Sequence, residues 1–354
     1  MTRRNVCILF GGVSPEHEVS LRSAECILNN IDRERNNVIA VGITRRGEWL
    51  RYYGTDYSRL PADTWMDDPD CCRCAISPSR GDGLVCFKDG GAEFTPIDAV
   101  FPVMHGANGE DGSIQGLMQV AGIPCVGPGV ASSASCMDKT MTKLIIDRTD
   151  VRQAKWMLVT AEDFADDPTD VMNAVEERFC YPVFVKPSGT GSSVGVSKAQ
   201  TRAALRDALC NALKFDRKVL VEEFIDGHEV EVAVLGNHDP IASICGEIIS
   251  GAEFYDYDAK YITDTSRAVI PAEITDAQSD KTREAAIKVY KALGCRGLSR
   301  VDFFVTYLGG EVVFNEINTL PGFTSISMYP KLFVAGGMTI TALIERLLEL
   351  AEQE

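Results

Sequence analysis

Basic side chains, histidine and long apolar runs are all scarce in this sequence of 354 residues. Lysine and arginine number 35 against 51 aspartates and glutamates, so the net charge is −16 with only 4 histidines. Because nucleic-acid binding needs a positive face for the phosphates, we do not expect that class of partner. No apolar run reaches the roughly 20 residues of a membrane-spanning helix, and the acidic excess disfavours docking on anionic lipid.

The first residues contain a short apolar run that ends in glycines and acidic residues, which predicts a strand and not a signal peptide. Most of the 12 cysteines lie singly in apolar segments, where cysteine acts as a small apolar side chain. With no export signal, we expect a reduced, cytoplasmic protein. The cluster Cys71, Cys72 and Cys74 lacks the paired spacing or nearby histidines of a zinc site, so we expect an exposed loop there.

Alternating strand and helix patterns predict an α/β fold with a parallel sheet in the first third of the chain. Residues 5–10 and 37–43 are apolar enough for buried strands. Residues 54–95 are rich in aspartate, proline and glycine, which favours an irregular insertion. A Gly-Pro-Gly sequence at 127–129 indicates a domain boundary, and further α/β or α+β units are predicted beyond it.

Two carboxylates and an amide in the last third form a candidate metal site. Asp302 lies in an apolar strand, while Glu316 and Asn318 end the next strand and, being two residues apart, share one of its faces. The Leu-Gly-Gly turn at 308–310 predicts a hairpin that brings Asp302 beside Glu316. Hard oxygen ligands of this kind suit Mg²⁺.

A candidate phosphate-binding loop follows a strand in residues 181–197. The strand carries Lys186, and the loop has three glycines and three serines, whose N–H and hydroxyl groups can bind phosphate oxygens. The sequence contains no Gly-Lys pair, which excludes a Walker A loop and points to another nucleotide-binding fold. Lys139, at the start of a predicted helix, is a second candidate phosphate cation.

The segment 220–229 supplies a strand that ends in two acidic residues. An adenine and ribose pocket could use the backbone of residues 223–225 and the carboxylates of Glu222 and Glu229.

Two further polar residues, Glu16 and His105, each follow a predicted strand. Ligands bind at the carboxyl ends of strands in an open α/β sheet, so the two side chains are expected to converge there.

Six blocks of sequence, in order, resemble the D-alanine–D-alanine ligase family of ATP-grasp enzymes. They are GGVSPEHEVSLRSA, MHGANGEDGSIQG, MDK, VKPSGTGSSVG with VEEFIDGHE, FYDYDAKY, and RVDFF with FNEINTLPGF. The resemblance covers essentially the whole chain and is weakest in residues 54–95. It implies an ATP-grasp fold of α/β and α+β class, in which ATP binds between the central and C-terminal domains. The implied domains are an N-terminal Rossmann-like domain with a parallel sheet (1–127), a central subdomain (128–222) and a C-terminal catalytic domain (223–354).

The same resemblance implies roles for individual residues. The catalytic set comprises Glu16, Ser192, Tyr261, Arg300 and Gly322. The substrate-binding set comprises His105, Lys260, Ser327 and Met328. The ATP-binding set comprises Lys139, Lys186, Ser193, Glu222, Glu223, Phe224, Ile225, Glu229 and Phe254. The metal ligands implied are Asp302, Glu316 and Asn318, as the hairpin argument also predicts.

The activity implied is ATP-dependent joining of two D-alanines through an acyl phosphate, for peptidoglycan precursors. ATP, two Mg²⁺ or Mn²⁺ ions, D-alanine and a homodimeric state are implied with it. The main alternative is a D-alanine–D-serine ligase of the glycopeptide-resistance type, which shares most of these motifs. Another carboxylate–amine ligase on the same fold is disfavoured by the EHEVS and HGANGEDG blocks. A catalytically inactive nucleotide-binding regulator is disfavoured by the intact Lys186, Arg300, Asp302, Glu316 and Asn318.

Overall fold

The chain forms three β-sheets in succession, with helices packed against them. The structure is a computed structural model that describes residues 3–250 and 266–353. The predicted site residues Phe254, Lys260 and Tyr261 lie outside the described residues. Within these two ranges, no helix is both long and apolar enough to cross a bilayer.

The first sheet is a seven-stranded sheet with a parallel centre. Its strands are β1 (Arg4–Gly11), β2 (Asn36–Ile43), β3 (Trp49–Tyr52), β4 (Cys72–Ile76), β5 (Leu84–Lys88), β6 (Gly91–Thr95) and β7 (Ala99–Val103). The spatial order is β6-β5-β4-β3-β2-β1-β7. Strand β1 pairs in parallel with β2 and β7, which confirms the predicted parallel α/β arrangement. Helix α1 (His17–Asn30) connects β1 to β2, and α2 (Ser113–Ala121) follows β7.

The prediction of an irregular insertion at 54–95 is wrong, because β4, β5 and β6 extend the first sheet by antiparallel pairing. The exposed loop predicted for the cysteine cluster is also wrong. Cys72 and Cys74 lie in β4, and the side chain of Cys74 is buried. These strands have only five residues each, too few for a clear alternation among the flanking turn residues. Among the described residues, no group of three or more His, Cys, Asp or Glu side chains is arranged as a metal site.

The second sheet is a small antiparallel sheet in the middle of the chain. It is preceded by α3 (Val130–Met137) and α4 (Lys139–Ile146). Its strands are β8 (Trp156–Thr160), β9 (Val183–Pro187), β10 (Ser197–Ala199) and β11 (Lys218–Glu223), in the order β10-β9-β11-β8. Helices α5 (Ala161–Asp166), α6 (Pro168–Arg178) and α7 (Arg202–Ala212) complete this part. The Gly/Ser loop runs from β9 to β10.

The third sheet is antiparallel and contains the predicted hairpin. Its strands are β12 (Gly227–Leu235), β13 (Ile241–Ala242), β14 (Gly246–Ser250), β15 (Ser266–Val269), β16 (Leu298–Thr306) and β17 (Val312–Asn318), and α8 (Asp276–Ala292) packs against it. The path is β15-β14-β12-β16-β17, with β13 paired to β12. Asp302 in β16 lies opposite Glu316 in β17, which confirms the predicted pairing.

The last two helices return to the first sheet. Helix α9 (Met328–Ala335) and α10 (Ile340–Ala351) bury apolar side chains in the same core as β1 and β7. The ring centroids of Phe101 and Phe323 lie 6.0 Å apart in this core. The loop between β17 and α9 is therefore held against the carboxyl end of β7. The domain boundaries near 127 and 222 stay a prediction; each sheet lies almost entirely within one of the three predicted stretches.

Candidate active site

One cavity of about 380 Å³ is lined by residues from all three parts of the chain. Every predicted site residue that the structure describes contributes to its lining. These residues are Glu16, His105, Lys139, Lys186, Ser192, Ser193, Glu222, Glu223, Phe224, Ile225, Glu229, Arg300, Asp302, Glu316, Asn318, Gly322, Ser327 and Met328. The fold thus brings together groups predicted for ATP, metal and amino-acid binding that lie far apart in sequence.

The Gly/Ser loop meets the start of α1 at this cavity. Ser192 Oγ donates a hydrogen bond to the carboxylate of Glu16, which is the residue just before α1. Ser192 and Ser193 have φ values of 49° and 58°, a left-handed conformation that is uncommon for residues other than glycine. A Cβ atom on Gly191 would lie 3.2 Å from Glu16 Oε2. The loop therefore approaches Glu16 closely through its backbone and through Ser192.

Lys139 ties the same loop to α4. Its Nζ donates to the carbonyl oxygen of Thr190 at 2.6 Å. Asp138 caps α4 by accepting from the N–H groups of Thr140 and Met141, which fixes where the helix begins. Lys139, the first residue of α4, is thereby held beside the loop.

A buried lysine–glutamate–lysine cluster lies under the loop. Lys143 Nζ lies 2.8 Å from Glu222 Oε1, and Lys186 Nζ lies 2.7 Å from Glu222 Oε2. Lys186 also donates to Asn315 Oδ1 at 3.1 Å. Burial by itself would raise the pKa of Glu222, but the two lysines outweigh it and hold that pKa at about 2. Burial lowers the pKa of Lys143 in spite of Glu222. Glu222 is therefore an ionised partner that orients both lysines.

Arg300 lies between two carboxylates on the third sheet. Its Nε and Nη2 donate to the two carboxylate oxygens of Asp302, both at 2.8 Å, and Nε lies 3.2 Å from Glu231 Oε2. Although burial opposes the charge, these carboxylates raise the pKa of Arg300 well above its usual value. The guanidinium group is thus a fixed positive charge at the cavity wall.

The predicted metal ligands offer two carboxylates and one amide on adjacent strands. Asn318 Nδ2 donates to Asp302 Oδ2 at 3.1 Å, which leaves the amide oxygen of Asn318 as a candidate ligand atom. Asp302 is buried, whereas Glu316 is half-buried and also lines the cavity. A donor set made of oxygen atoms fits Mg²⁺ or Mn²⁺, which take further ligands from phosphate and water.

His105 and Glu110 contact the loop that follows β17. His105 Nδ1 lies 3.0 Å from the carbonyl oxygen of Leu320, and Glu110 accepts from the N–H of Leu320 at 3.2 Å. Burial lowers the pKa of His105 against the influence of Glu16. Burial and the nearby Glu16 charge raise the pKa of Glu110 to about 8.

The start of α9 faces the cavity beside Gly322. Ser327 Oγ accepts from the N–H of Thr324 at 3.0 Å, and Met328 is the first residue of α9. A Cβ atom on Gly322 would lie 2.7 Å from Ser327 Oγ, so a larger residue there would displace that hydroxyl. A helix start is a suitable place for a carboxylate.

Aromatic side chains line the opposite end of the cavity. The rings of Phe184 and Phe224 are stacked with centroids 6.1 Å apart. Lys198 Nζ lies 4.7 Å from the centroid of the Phe224 ring. Glu223 is anchored by a hydrogen bond from the N–H of Lys155 at 2.9 Å. Flat apolar surface next to the lysine cluster suits a purine base beside its phosphates.

Family models match nearly the whole chain. Residues 5–128 match the model described as D-ala D-ala ligase N-terminus, and residues 145–349 match D-ala D-ala ligase C-terminus. The chain belongs to the D-alanine–D-alanine ligase family.

Individual relatives and solved structures resemble this chain over nearly its full length. The D-alanine–D-alanine ligase of Acetivibrio thermocellus is 48% identical over 363 residues, which covers 99% of this chain and 96% of the relative. A solved D-Ala:D-Ser ligase from Enterococcus faecalis has a TM-score of 0.90 at 38% identity and covers 99% of this chain and 100% of that structure. The solved D-alanine–D-alanine ligase from Coxiella burnetii has a TM-score of 0.87 at 31% identity and covers 100% of this chain and 95% of that structure. The ATP-grasp fold follows from this likeness.

Four charged residues that line the cavity of this ligase-family chain are not among the predicted site residues. They are Glu110, Lys143, Asp226 and Glu231. Lys143 lies one helical turn after Lys139, and Glu231 lies two residues after Glu229 in the same strand, so periodicity could have found both. Glu110 lies in the HGANGEDG block, but its position in that block does not predict which groups its side chain contacts.

Proposed function

We propose that this ligase uses ATP to join two D-alanine molecules into D-alanyl-D-alanine for peptidoglycan precursors. The carboxylate of the first D-alanine attacks the γ-phosphorus of ATP, so that ADP leaves and an acyl phosphate forms. The amine of the second D-alanine then attacks the acyl carbon and loses a proton, and inorganic phosphate leaves. The observation that carries the proposal is the single cavity shared by the candidate phosphate, metal and amino-acid groups.

The lysine cluster and the Gly/Ser loop form the proposed phosphate end of the site. Lys186 and Lys139 supply positive charge, and the backbone N–H groups of the loop with Ser193 supply donors for phosphate oxygens. Asp302, Glu316 and Asn318 would hold two Mg²⁺ or Mn²⁺ ions, which neutralise charge on the phosphates when bound. Phe224 and the backbone near Ile225 would hold the adenine.

The groups around Gly322 form the proposed amino-acid end. Arg300 and the N–H of Gly322 are suited to stabilise the oxyanion of the tetrahedral intermediate, because both are donors fixed before the reaction. Ser327 and the start of α9 are suited to bind the carboxylate of an amino acid. The hydrogen bond between Ser192 and Glu16 places an acidic and hydroxyl-bearing pair where the amine of a substrate could donate.

The D-alanine–D-serine alternative is not favoured as the function. The relative that is 48% identical is named a D-alanine–D-alanine ligase, whereas the D-Ala:D-Ser ligase structure is 38% identical. Serine differs from alanine by one hydroxyl, which a pocket rejects only weakly. Product identification therefore has to include both D-alanyl-D-alanine and D-alanyl-D-serine.

The test is to incubate the protein with ATP and Mg²⁺ and with D-alanine, D-serine or D-lactate, alone and in pairs, and to separate the products by chromatography. We expect D-alanyl-D-alanine with one ADP for each peptide bond. Glu316→Gln should abolish ligation at limiting Mg²⁺ while the thermal melt stays close to that of wild type. The matched control is Glu177→Gln on the exposed side of α6, which should ligate normally.

Two outcomes would contradict this proposal. An excess of D-alanyl-D-serine in the competition would move the chain to the alternative. ATP hydrolysis that no D-amino acid stimulates would remove the ligase assignment altogether.

Oligomeric state and location belong to the same proposal. The family resemblance supports a homodimer in the cytoplasm. None of the 12 cysteines is joined to another by a disulfide, and disulfides are rare in a reducing compartment. Light scattering should give twice the mass of one chain, and a monomer at micromolar concentration would refute the dimer.

A further inference from the structure

The loop Leu320–Phe323 is held on both sides by side chains from the first part of the chain. Leu320 donates its N–H to Glu110 Oε1 at 3.2 Å. Phe323 donates its N–H to Ser23 Oγ at 3.1 Å. The proposed oxyanion donor, Gly322, lies between these two anchored positions.

His105 completes the set of contacts and fixes the direction of each hydrogen bond. A carbonyl oxygen can only accept, so His105 Nδ1 must carry the proton that it shares with the carbonyl of Leu320 at 3.0 Å. Burial lowers the pKa of His105, which favours a neutral ring whose Nε2 is an acceptor. Ser23 Oγ, 3.3 Å from that Nε2, then donates to it while accepting from Phe323.

Glu110 is itself anchored to the first part of the chain. Its second carboxylate oxygen accepts from the N–H of Gly106 at 2.8 Å, in the loop directly after β7. His105 is 5% exposed and Ser23 is fully buried, which shields the hydrogen bonds of these two side chains from water. Both polar backbone groups of Leu320 and the N–H of Phe323 are therefore satisfied by side chains from the first part of the chain.

We propose that Glu110, His105 and Ser23 are positioning residues that hold the N–H of Gly322 in the direction of the oxyanion. This inference rests on the proposed function and adds to it a role for Glu110 and Ser23. It also assigns His105 to the loop instead of to direct contact with an amino acid, since both ring nitrogens have protein partners. Oxyanion donors act only when they are pre-oriented, and buried side chains with directed bonds are a means of orienting a backbone group.

The first experiment separates the two chemical steps. Rapid-quench measurements with ATP, Mg²⁺ and D-alanine record ADP and D-alanyl-D-alanine in the first turnover. The oxyanion forms only when the amine attacks the acyl phosphate, so Glu110→Ala should slow peptide formation by about 10- to 100-fold and slow ADP formation much less. The acyl phosphate that accumulates should then be hydrolysed by water, and the ratio of ADP to peptide should rise above one.

The matched control is Asp111→Ala, next to Glu110. Asp111 accepts from the N–H groups of Asn108 in the same loop and Ser113 at the start of α2 and does not line the cavity. This variant should keep a ratio of ADP to peptide of one. Glu110→Gln keeps one acceptor oxygen and should fall between wild type and Glu110→Ala, and it replaces the alanine variant if that chain does not fold.

The second experiment tests the hydrogen bonds without a measurement of enzyme activity. Nitrogen NMR of the native protein, which has only 4 histidines, should show His105 as the neutral Nδ1–H tautomer at pH 7. Ser23→Ala should change the nitrogen chemical shift of His105 Nε2 more than that of His105 Nδ1.

The outcomes are distinguishable from failure of the proposed function. If wild type forms no peptide at all, the ligase assignment fails, whereas the NMR result still tests the hydrogen bonds. If wild type ligates and Glu110→Ala lowers ADP and peptide equally with a ratio of one, Glu110 has a general structural role and the positioning proposal is overturned. A protonated ring or an Nε2–H tautomer for His105 would overturn it as well.

Discussion

Glu222 and Glu110 are glutamates in the same cavity whose pKa values are shifted in opposite directions. Glu222 lies between Lys143 and Lys186, and these two charges hold its pKa at about 2 against the effect of burial. Among the described residues, Glu110 has backbone N–H partners but no lysine partner, and burial together with Glu16 raises its pKa to about 8. A buried carboxylate is thus a permanent anion at the phosphate end and a titrating group near neutral pH at the amino-acid end.

The difference shows that burial alone does not decide the charge of a side chain. What decides it is whether an opposite charge lies within hydrogen-bond distance. In the proposed function the lysines bind the phosphates of ATP, and Glu222 would keep them in place when ATP is absent. At the amino-acid end the acidic residues lie close to one another, which raises the cost of ionising any one of them.

The largest effect should come from removing the carboxylate that two lysines share. Glu222→Gln leaves Lys143 and Lys186 buried without the carboxylate that both of them contact, which we expect to lower the free energy of unfolding by about 3–5 kcal/mol. Urea denaturation followed by circular dichroism measures it. As a control, Glu162→Gln, which removes one partner of the exposed pair with Arg217, should cost less than about 1 kcal/mol. Equal losses of unfolding free energy in the two variants would show that burial does not increase the contribution of the cluster to stability.

The two lysines should differ in their effect on catalysis. Lys186→Met removes a proposed phosphate contact and should lower kcat/KM for ATP by about 100-fold or more, since a charged hydrogen bond is lost in the transition state. Lys143→Met removes a partner of Glu222, which also contacts Lys186, and should lower kcat/KM for ATP by about 10-fold. Steady-state kinetics with varied ATP measure both. A larger loss for Lys143→Met would reverse the assignment of the two roles.

Lowering the pH should reduce the contribution of Glu222 to stability. Its pKa is lower in the folded chain than in the unfolded chain, so its contribution to stability is present above pH 4.5 and is lost as the pH falls towards 2. We expect the unfolding free energy of wild type to fall faster over this range than that of Glu222→Gln, by about 2 kcal/mol. Parallel curves for the two proteins would mean that the lysines do not hold the ionised form.

The smallest effect should be seen with alkali at Glu110. Its folded pKa is raised, so its contribution to stability is fully present below pH 4.5 and is lost as the pH rises through 8. Glu110→Gln cannot ionise, and between pH 6 and pH 9 wild type should lose about 1–2 kcal/mol relative to it. Melting temperatures across this range measure the difference. Parallel curves for the two proteins over this range would place the folded pKa of Glu110 below it.

The candidate site could be predicted from the sequence wherever one segment carries both the residue and its geometry. The hairpin that places Asp302 opposite Glu316 follows from strand alternation and a Gly-Gly turn, and the structure contains it. The short strands β4, β5 and β6 were missed because five residues between turns give too little periodicity. The environments of Lys143, Glu110 and Glu231 could not be predicted, since their partners come from other segments.

The sequence by itself therefore determined the family, the chemistry of the candidate groups and the local elements that carry them. Only the tertiary structure decided which of those groups share a cavity, which carboxylate stays ionised, and which side chains hold the backbone of Leu320 and Phe323. The physical reason is that hydrogen bonds and charge interactions act over a few ångströms. His105 and Leu320 are separated by 215 positions in sequence, and packing of the last two helices on the first sheet brings them within 3.0 Å of each other.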